Sequence, residues 1–295
     1  MTWPACVPDD GGDLCPRRTG DGSFSLWSAA FGEGFHCAEG ALAEARATFV
    51  EPAGLEHLAA GERLRVVEVA VGTGTNTAAL IEAAADRHLA LDWWGLELDR
   101  RPLALALADG GFRAQWRPDT CAALGRLTAG RLLVGDARRR LADLAALAGS
   151  VDLVLHDAYS PRRCPQLWTV EFLAGLARLL APRGRLLTYS AAAAVRRGLQ
   201  LADLQLASIS PSGQRRRWSG GTAASPAPLP IGGRLRPLLP LECDHLCTAA
   251  AEPYRDPTGA ADAAMISTGR SMAQAAAAAP SSSAWRRRWQ LDHGG

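Results

Sequence analysis

Four acids stand at the ends of four successive strand-like runs: Glu68, Glu97, Asp136 and Asp157. One carboxylate in such a place is most often a helix N-cap. Four in succession suit a ligand with several hydrogen-bond donors and a positive charge. Glu68, inside the first run, can reach a cationic amino group. Glu97, with Asp99 two residues on as the alternative, can accept both hydroxyls of a ribose. Asp136 can accept from an exocyclic adenine amine. Between the first two acids lies Gly72-Thr-Gly74-Thr-Asn76. Glycines there let a ligand approach the backbone beside the free N–H groups of a helix start. No third glycine follows Gly74, so a dinucleotide fingerprint is disfavoured. The set fits an adenosine cofactor with a charged amino-acid tail, which describes S-adenosylmethionine.

The elements that must position these acids alternate. Residues 64–71, 90–98, 131–134, 151–156, 185–189 and 204–209 read as strands from their apolar, β-branched runs. Residues 76–86, 101–109, 138–148, 166–180 and 191–200 read as helices. Strands alternating with helices predict a doubly wound, mostly parallel α/β sheet, with ligands at the carboxyl ends of its strands. Residues 1–22, rich in Pro, Gly and Asp, read as a flexible N-terminal tail, and 23–62 as a more compact segment with Phe24, Trp27, Phe31 and Phe35. After residue 219 the pattern decays. Residues 226–295 read as a low-complexity Ala/Pro/Ser-rich extension expected to be flexible.

Composition bounds the function classes. The chain has 295 residues, is 48% hydrophobic and 21% charged, and contains no lysine; all 32 basic residues are arginine. That is globular composition, and disorder, collagen and coiled coil are excluded. No stretch reaches about 18 apolar residues, and the start lacks the basic and apolar regions of a signal peptide, so a cytoplasmic protein with no membrane partner is expected. Residues 1–62 carry ten acids against three arginines, while the rest is net basic, which permits a nucleic-acid partner. Seven scattered cysteines do not form a disulfide framework. Cys243, His245 and Cys247 match no usual zinc spacing, and no metal is expected. The run Trp285 to Trp289 interleaves arginine and tryptophan as nucleic-acid binders do, but over five residues only.

From Asp21 to Ser225 the sequence resembles the methyltransferase half of the bifunctional tRNA 5-methylaminomethyl-2-thiouridine biosynthesis proteins, in a standalone form without the flavin oxidase half. The resemblance rests on His156-Asp-Ala-Tyr-Ser-Pro161, Trp168, Leu180-Ala-Pro-Arg-Gly184, Thr188-Tyr-Ser190 and Val195-Arg-Arg-Gly-Leu199. It implies a seven-stranded Rossmann-like class I S-adenosylmethionine-dependent methyltransferase over residues 23–225, with 23–62 on the substrate side. It implies methylation of the primary amine of 5-aminomethyl-(2-thio)uridine at the tRNA wobble position. The expected cofactor residues are Glu68, Gly72, Gly74, Asn76, Glu97 and Asp136. Asp157 is expected to take or orient the amine proton, with Tyr159 beside it. Pro161, Trp168, Arg196 and Arg197 are expected on the substrate, a tRNA anticodon stem-loop. A separate oxidase is expected to supply the amine. Where the family's glycine loop begins with Gly, this chain has Ala70, tolerable if its φ is negative. Three rivals stay open: a methyltransferase with another acceptor, a polyamine aminopropyltransferase, and a non-catalytic RNA-binding relative. Arg162 and Arg163 after Asp157 would repel a polycationic substrate.

Overall fold

The apolar runs become a sheet buried on both faces. The computed structural model describes residues 12–212 and 218–291. An antiparallel sheet comes first, from β1 (Leu14–Arg18), β2 (Phe24–Ser28) and β3 (Glu33–Gly34), followed by α1 (Ala41–Glu44) and short helical turns to residue 57. The main sheet then alternates with helices: β4 (Arg63–Val69), α2 (Thr75–Asp86), β5 (Ala90–Glu97), α3 (Arg101–Ala108), α4 (Gly110–Ala114), α5 (Pro118–Arg131), β6 (Leu132–Val134) and α6 (Ala137–Arg140). It continues through β7 (Val151–His156), α7 (Val170–Leu179), β8 (Leu180–Thr188), α8 (Ala193–Leu201), β9 (Gln205–Ile209), β10 (Gly221–Ser225) and β11 (Leu235–Arg236). Three C-terminal helices complete it: α9 (Pro240–His245), α10 (Ala263–Ala276) and α11 (Ser282–Arg288).

The strand order is β11-β9-β10-β8-β7-β4-β5-β6, eight strands where seven were expected; the short edge strand β11 is the addition. β6, β5, β4, β7 and β8 are parallel, and β10 enters antiparallel between β8 and β9. Val66, Val67 and Val69 of β4 are wholly buried, as a central strand covered on both faces requires. β10 escaped the sequence reading because Gly-Thr-Ala-Ala-Ser has little β-propensity. All five residues are buried, and a side chain at Gly221 would run into the Thr188 carbonyl, so the slot admits only small residues.

Two expectations of flexibility are corrected, the first for residues 14–18 only, since residues 1–11 lie outside the described residues. Residues 14–18 pair with β2, and Arg18 holds Asp109 at 2.8 Å. Residues 226–291 pack on the domain instead of trailing from it. Tyr254 and Ile266 enter the core beside α7 and α8, and Asp262 and Ser281 cap α10 and α11 by accepting from the Met265 and Ala284 N–H groups. Trp285 is buried: it stacks on His245 at 4.0 Å and donates to the Leu241 carbonyl at 2.8 Å. Trp289 donates to Asp244, so the tryptophans of this run serve packing. Among the described residues no group of His, Cys, Asp and Glu is placed to hold a metal.

Candidate active site

The carboxyl ends of β4, β5, β6 and β7 open into one cavity of about 1180 Å³, closed from the far side by the segment that holds β1 to β3 and α1. The chain turns under it after β4. Gly72 and Gly74 take left-handed conformations with φ of +56° and +77°, and so does Ala70 at +60°. The condition set for a tolerated alanine is therefore not met, and Ala70 carries local strain. The two glycines do different work. Gly72 lines the cavity, where a Cβ would meet the Phe35 ring at 3.0 Å. Gly74 lies off it, and its missing side chain makes room for Leu103 and Leu124.

Glu97, at the tip of β5, is buried in the cavity wall. Its carboxylate accepts from the Gly72 N–H at 2.8 Å and the Asp99 N–H at 2.9 Å. Burial nevertheless pushes its pKa up, because these donors do not offset the lost hydration. Asp99 also lines the cavity, but it is ion-paired with Arg101, which holds its carboxyl below the usual range. Asp136 caps α6 by accepting from the Arg138 N–H at 3.0 Å. Burial raises it, but the Arg138 guanidinium at 2.7 Å outweighs this and keeps the carboxyl low. Arg138 in turn bonds Asp256 at 2.7 Å and the Ala261 carbonyl at 2.8 Å, so the C-terminal segment braces this wall.

Asp157 projects from the end of β7. Burial, then the negative charge of Glu44, pushes its pKa well up; Glu68 adds to this, and the Asn76 side chain opposes it by donating at 2.7 Å. Tyr159 lies parallel to Phe31 at 4.2 Å and edge-on to Phe35 at 5.3 Å, an aromatic wall on the substrate side. Its loop is pinned: Ser160 N–H donates to Glu33 at 2.9 Å, and Tyr189 donates to the Ala158 carbonyl at 3.0 Å.

Several expected site residues lie elsewhere. Glu68 precedes the last residue of β4, and its side chain turns toward α2, not into the cavity. It is wholly buried, accepting from the Thr77 hydroxyl and from Trp93 Nε1 at 3.0 Å, and burial lifts its pKa to about 7. Asn76 is also off the cavity wall and meets Asp157. Pro161 is buried outside the cavity lining. Trp168 is a core residue, packed on His156 at 4.2 Å and donating to the Tyr159 carbonyl at 2.8 Å. Arg196 is buried against Glu242 at 2.8 Å, with Thr222 and Ser219 as further acceptors, and ties α8 to α9 and β10. Arg197 is exposed, one residue further round α8 and off the cavity. Arg215 to Arg217 lie outside the described residues.

The sequence reading missed the segment's own contribution. Glu33, Phe31, Phe35, His36 and Glu44 all face the cavity. His36 bonds Ser25 at 3.0 Å, and burial lowers its pKa to about 4, so it is neutral. Eight acids line the cavity against two arginines, Arg101 and Arg138, each already paired with two carboxylates. Such a cavity favours cationic ligands. S-adenosylmethionine fits the residues present: Glu97 is a buried carboxylate with no cation on it, and Gly72, whose N–H it accepts, lines the cavity beside it.

The fold is that of S-adenosylmethionine-dependent methyltransferases, and the site fits their cofactor. A model of one family of such enzymes matches residues 120–224. The chain is similar to the tRNA 5-methylaminomethyl-2-thiouridine biosynthesis bifunctional protein MnmC of Ralstonia nicotianae, 33% identical over 222 residues, covering 68% of this chain and 33% of that protein. The Pseudomonas aeruginosa protein of the same name is 33% identical over 225 residues, 68% of this chain and 34% of its own length. The chain thus spans about a third of these relatives. The crystal structure of MnmC2 from Aquifex aeolicus superposes with a TM-score of 0.73 at 25% identity, over 90% of this chain and 86% of that one. The relationship is to the methyltransferase part of the MnmC proteins.

Proposed function

We propose that the protein methylates the primary amine of 5-aminomethyl-(2-thio)uridine at the wobble position of a tRNA. The observation that carries this reading is Asp157, a half-buried carboxyl with a raised pKa, in an acidic cavity of an MnmC-like fold. Bound S-adenosylmethionine supplies an activated methyl. Glu97 would accept from the ribose hydroxyls and Asp136 would meet the adenine amine, with the Gly72 turn beside them. Asp157 and Glu44 attract the ammonium form of the acceptor. Asp157 as carboxylate then takes its proton, and the raised pKa makes it a stronger base than an ordinary carboxylate. The Tyr159, Phe31 and Phe35 wall offers a stacking face to an unstacked base. Phosphates stay outside the acidic cavity. Arg162 and Arg163 are exposed, and the Arg163 guanidinium lies close to Gly32 of the cavity wall.

Such an enzyme works in the cytoplasm and needs an oxidase activity, on another polypeptide or another part of this one, to provide the amine. No helix among the described residues is long and apolar enough to cross a membrane. The test is nucleoside mass spectrometry of tRNA bearing 5-aminomethyl wobble uridine after incubation with protein and S-adenosylmethionine. One added methyl is expected on that nucleoside, lost in Asp157→Asn while cofactor binding persists. No added methyl, with the cofactor bound, assigns a different acceptor.

A further inference from the structure

Asn76 is buried in the first turn of α2, off the cavity wall, and its Nδ2 donates to Asp157 Oδ2 at 2.7 Å. We infer that Asn76 is the positioning residue of the methyl-transfer site: its amide keeps Oδ2 of Asp157 an acceptor and leaves Oδ1 to take the proton from the acceptor amine. The inference rests on the amine-methylating reading above and adds how its base is held.

Both partners stand on fixed elements. Gly74, left-handed at φ +77°, starts α2, and the space a side chain would need there is filled by Leu103 and Leu124, which pack against the turn. The Asp157 N–H donates to the Val69 carbonyl at 3.2 Å, which anchors the tip of β7 to β4. An amide donor on Oδ2 leaves the proton of the neutral acid to Oδ1. Oδ1 takes the proton of the bound ammonium and frees its lone pair; in the transfer the N–C bond forms, the S–C bond breaks, and the product leaves as a secondary ammonium. Glu44 on α1 and Glu68 on β4 both favour the protonated acid by their charge. His36, Tyr159 and Tyr189 share the cavity wall with Asp157, and none of them is a cation there. The Asn76 donor is what opposes the two acids, because it stabilises the carboxylate.

Two variants test this. Asn76→Asp keeps the shape and replaces the donor by an acceptor; Asn76→Ala removes the group. The first readout is the carboxyl titration of Asp157 in the unliganded protein, followed by carbon-13 NMR. Both variants should move it upward by about one pH unit or more. The second is the pH profile of kcat/KM, whose acid limb should move up by the same amount. At neutral pH kcat should fall about tenfold and recover toward wild type at high pH, with the Kd for S-adenosylmethionine unchanged within about twofold. A purely structural role would lower stability and activity at all pH values and leave the titration in place. An unmoved or downward-moving Asp157 titration overturns the inference, the latter because the Asn76 carbonyl would then be accepting the Asp157 proton. Absence of methylation by the wild-type protein would overturn the substrate reading alone, since the titration needs no substrate.

Discussion

Glu68 separates two accounts of the site. As a cofactor ligand it would hold a cationic amino group; as the structure has it, it is a buried acid bonded to Thr77 and Trp93, with its second oxygen lacking a hydrogen-bond partner. The informative perturbation is Glu68→Gln, which imitates the neutral acid. Its carbonyl can accept both existing bonds, and its amide occupies the place of the unpartnered oxygen. Burial lifts the Glu68 pKa from 4.5 to about 7. The folded protein therefore binds this proton more tightly than the unfolded chain does. The stabilisation is complete below about pH 4.5, is lost as pH rises to about 7, and stays lost above it. At 1.36 kcal/mol per pH unit the loss is about 3 kcal/mol. Glutamine has no proton to lose. Other titrating groups are common to both proteins and cancel in the difference. Urea unfolding followed by tryptophan fluorescence should show equal stability near pH 4.5 and an advantage of about 3 kcal/mol for Glu68→Gln at pH 8.5. Calorimetric affinity for S-adenosylmethionine should not change. A pH-independent difference would refute the burial argument, and a tenfold loss of cofactor affinity would return Glu68 to the cofactor site.

Two further outcomes follow from the turn and the C-terminal segment. Ala70→Gly removes a left-handed alanine that costs about 1 kcal/mol, partly offset by the greater freedom of glycine in the unfolded chain. A small rise in Tm, about 1–3 °C, is expected in a thermal melt, and a fall would show that the Ala70 methyl packs favourably. Asp256→Asn weakens the buried acceptor that holds Arg138 against Asp136. Calorimetry should show S-adenosylmethionine binding several-fold more weakly, with stability lower by about 1–3 kcal/mol; unchanged affinity would mean the C-terminal segment does not brace the cofactor wall.

What was legible in the sequence was whatever a single strand or helix decides for itself. The apolar runs located β4, β5 and β7, and the acids at their ends, Glu97 and Asp157, reach the cavity because strand ends of a parallel sheet share one edge. What was not legible depends on which way a side chain turns, or on a partner far along the chain. Glu68 pairs with Gly95, two residues before Glu97: Glu97 ends its strand at the cavity, while Glu68 stands deeper in the sheet and bonds Thr77 of α2. Arg196 and Arg197 are neighbours in sequence, yet one turns into a buried pair with Glu242 and the other into solvent. Composition misled at the C-terminus. An Ala- and Ser-rich stretch resembles a linker, but Asp262 and Ser281 are helix caps, and one large buried residue in each helix, Ile266 and Trp285, docks it. Glu44 and His36 stayed hidden for the opposite reason: no pattern in residues 23–62 marks a side chain whose task is set by a loop more than a hundred residues away. Asp157 owes its raised pKa first to burial and then to that distant segment. Its own strand supplies burial, but the charge that reinforces it comes from Glu44. The base and the segment that would close over the substrate are therefore one electrostatic unit. Shifting that segment would retune the base, and that coupling can be read only after the chain has folded.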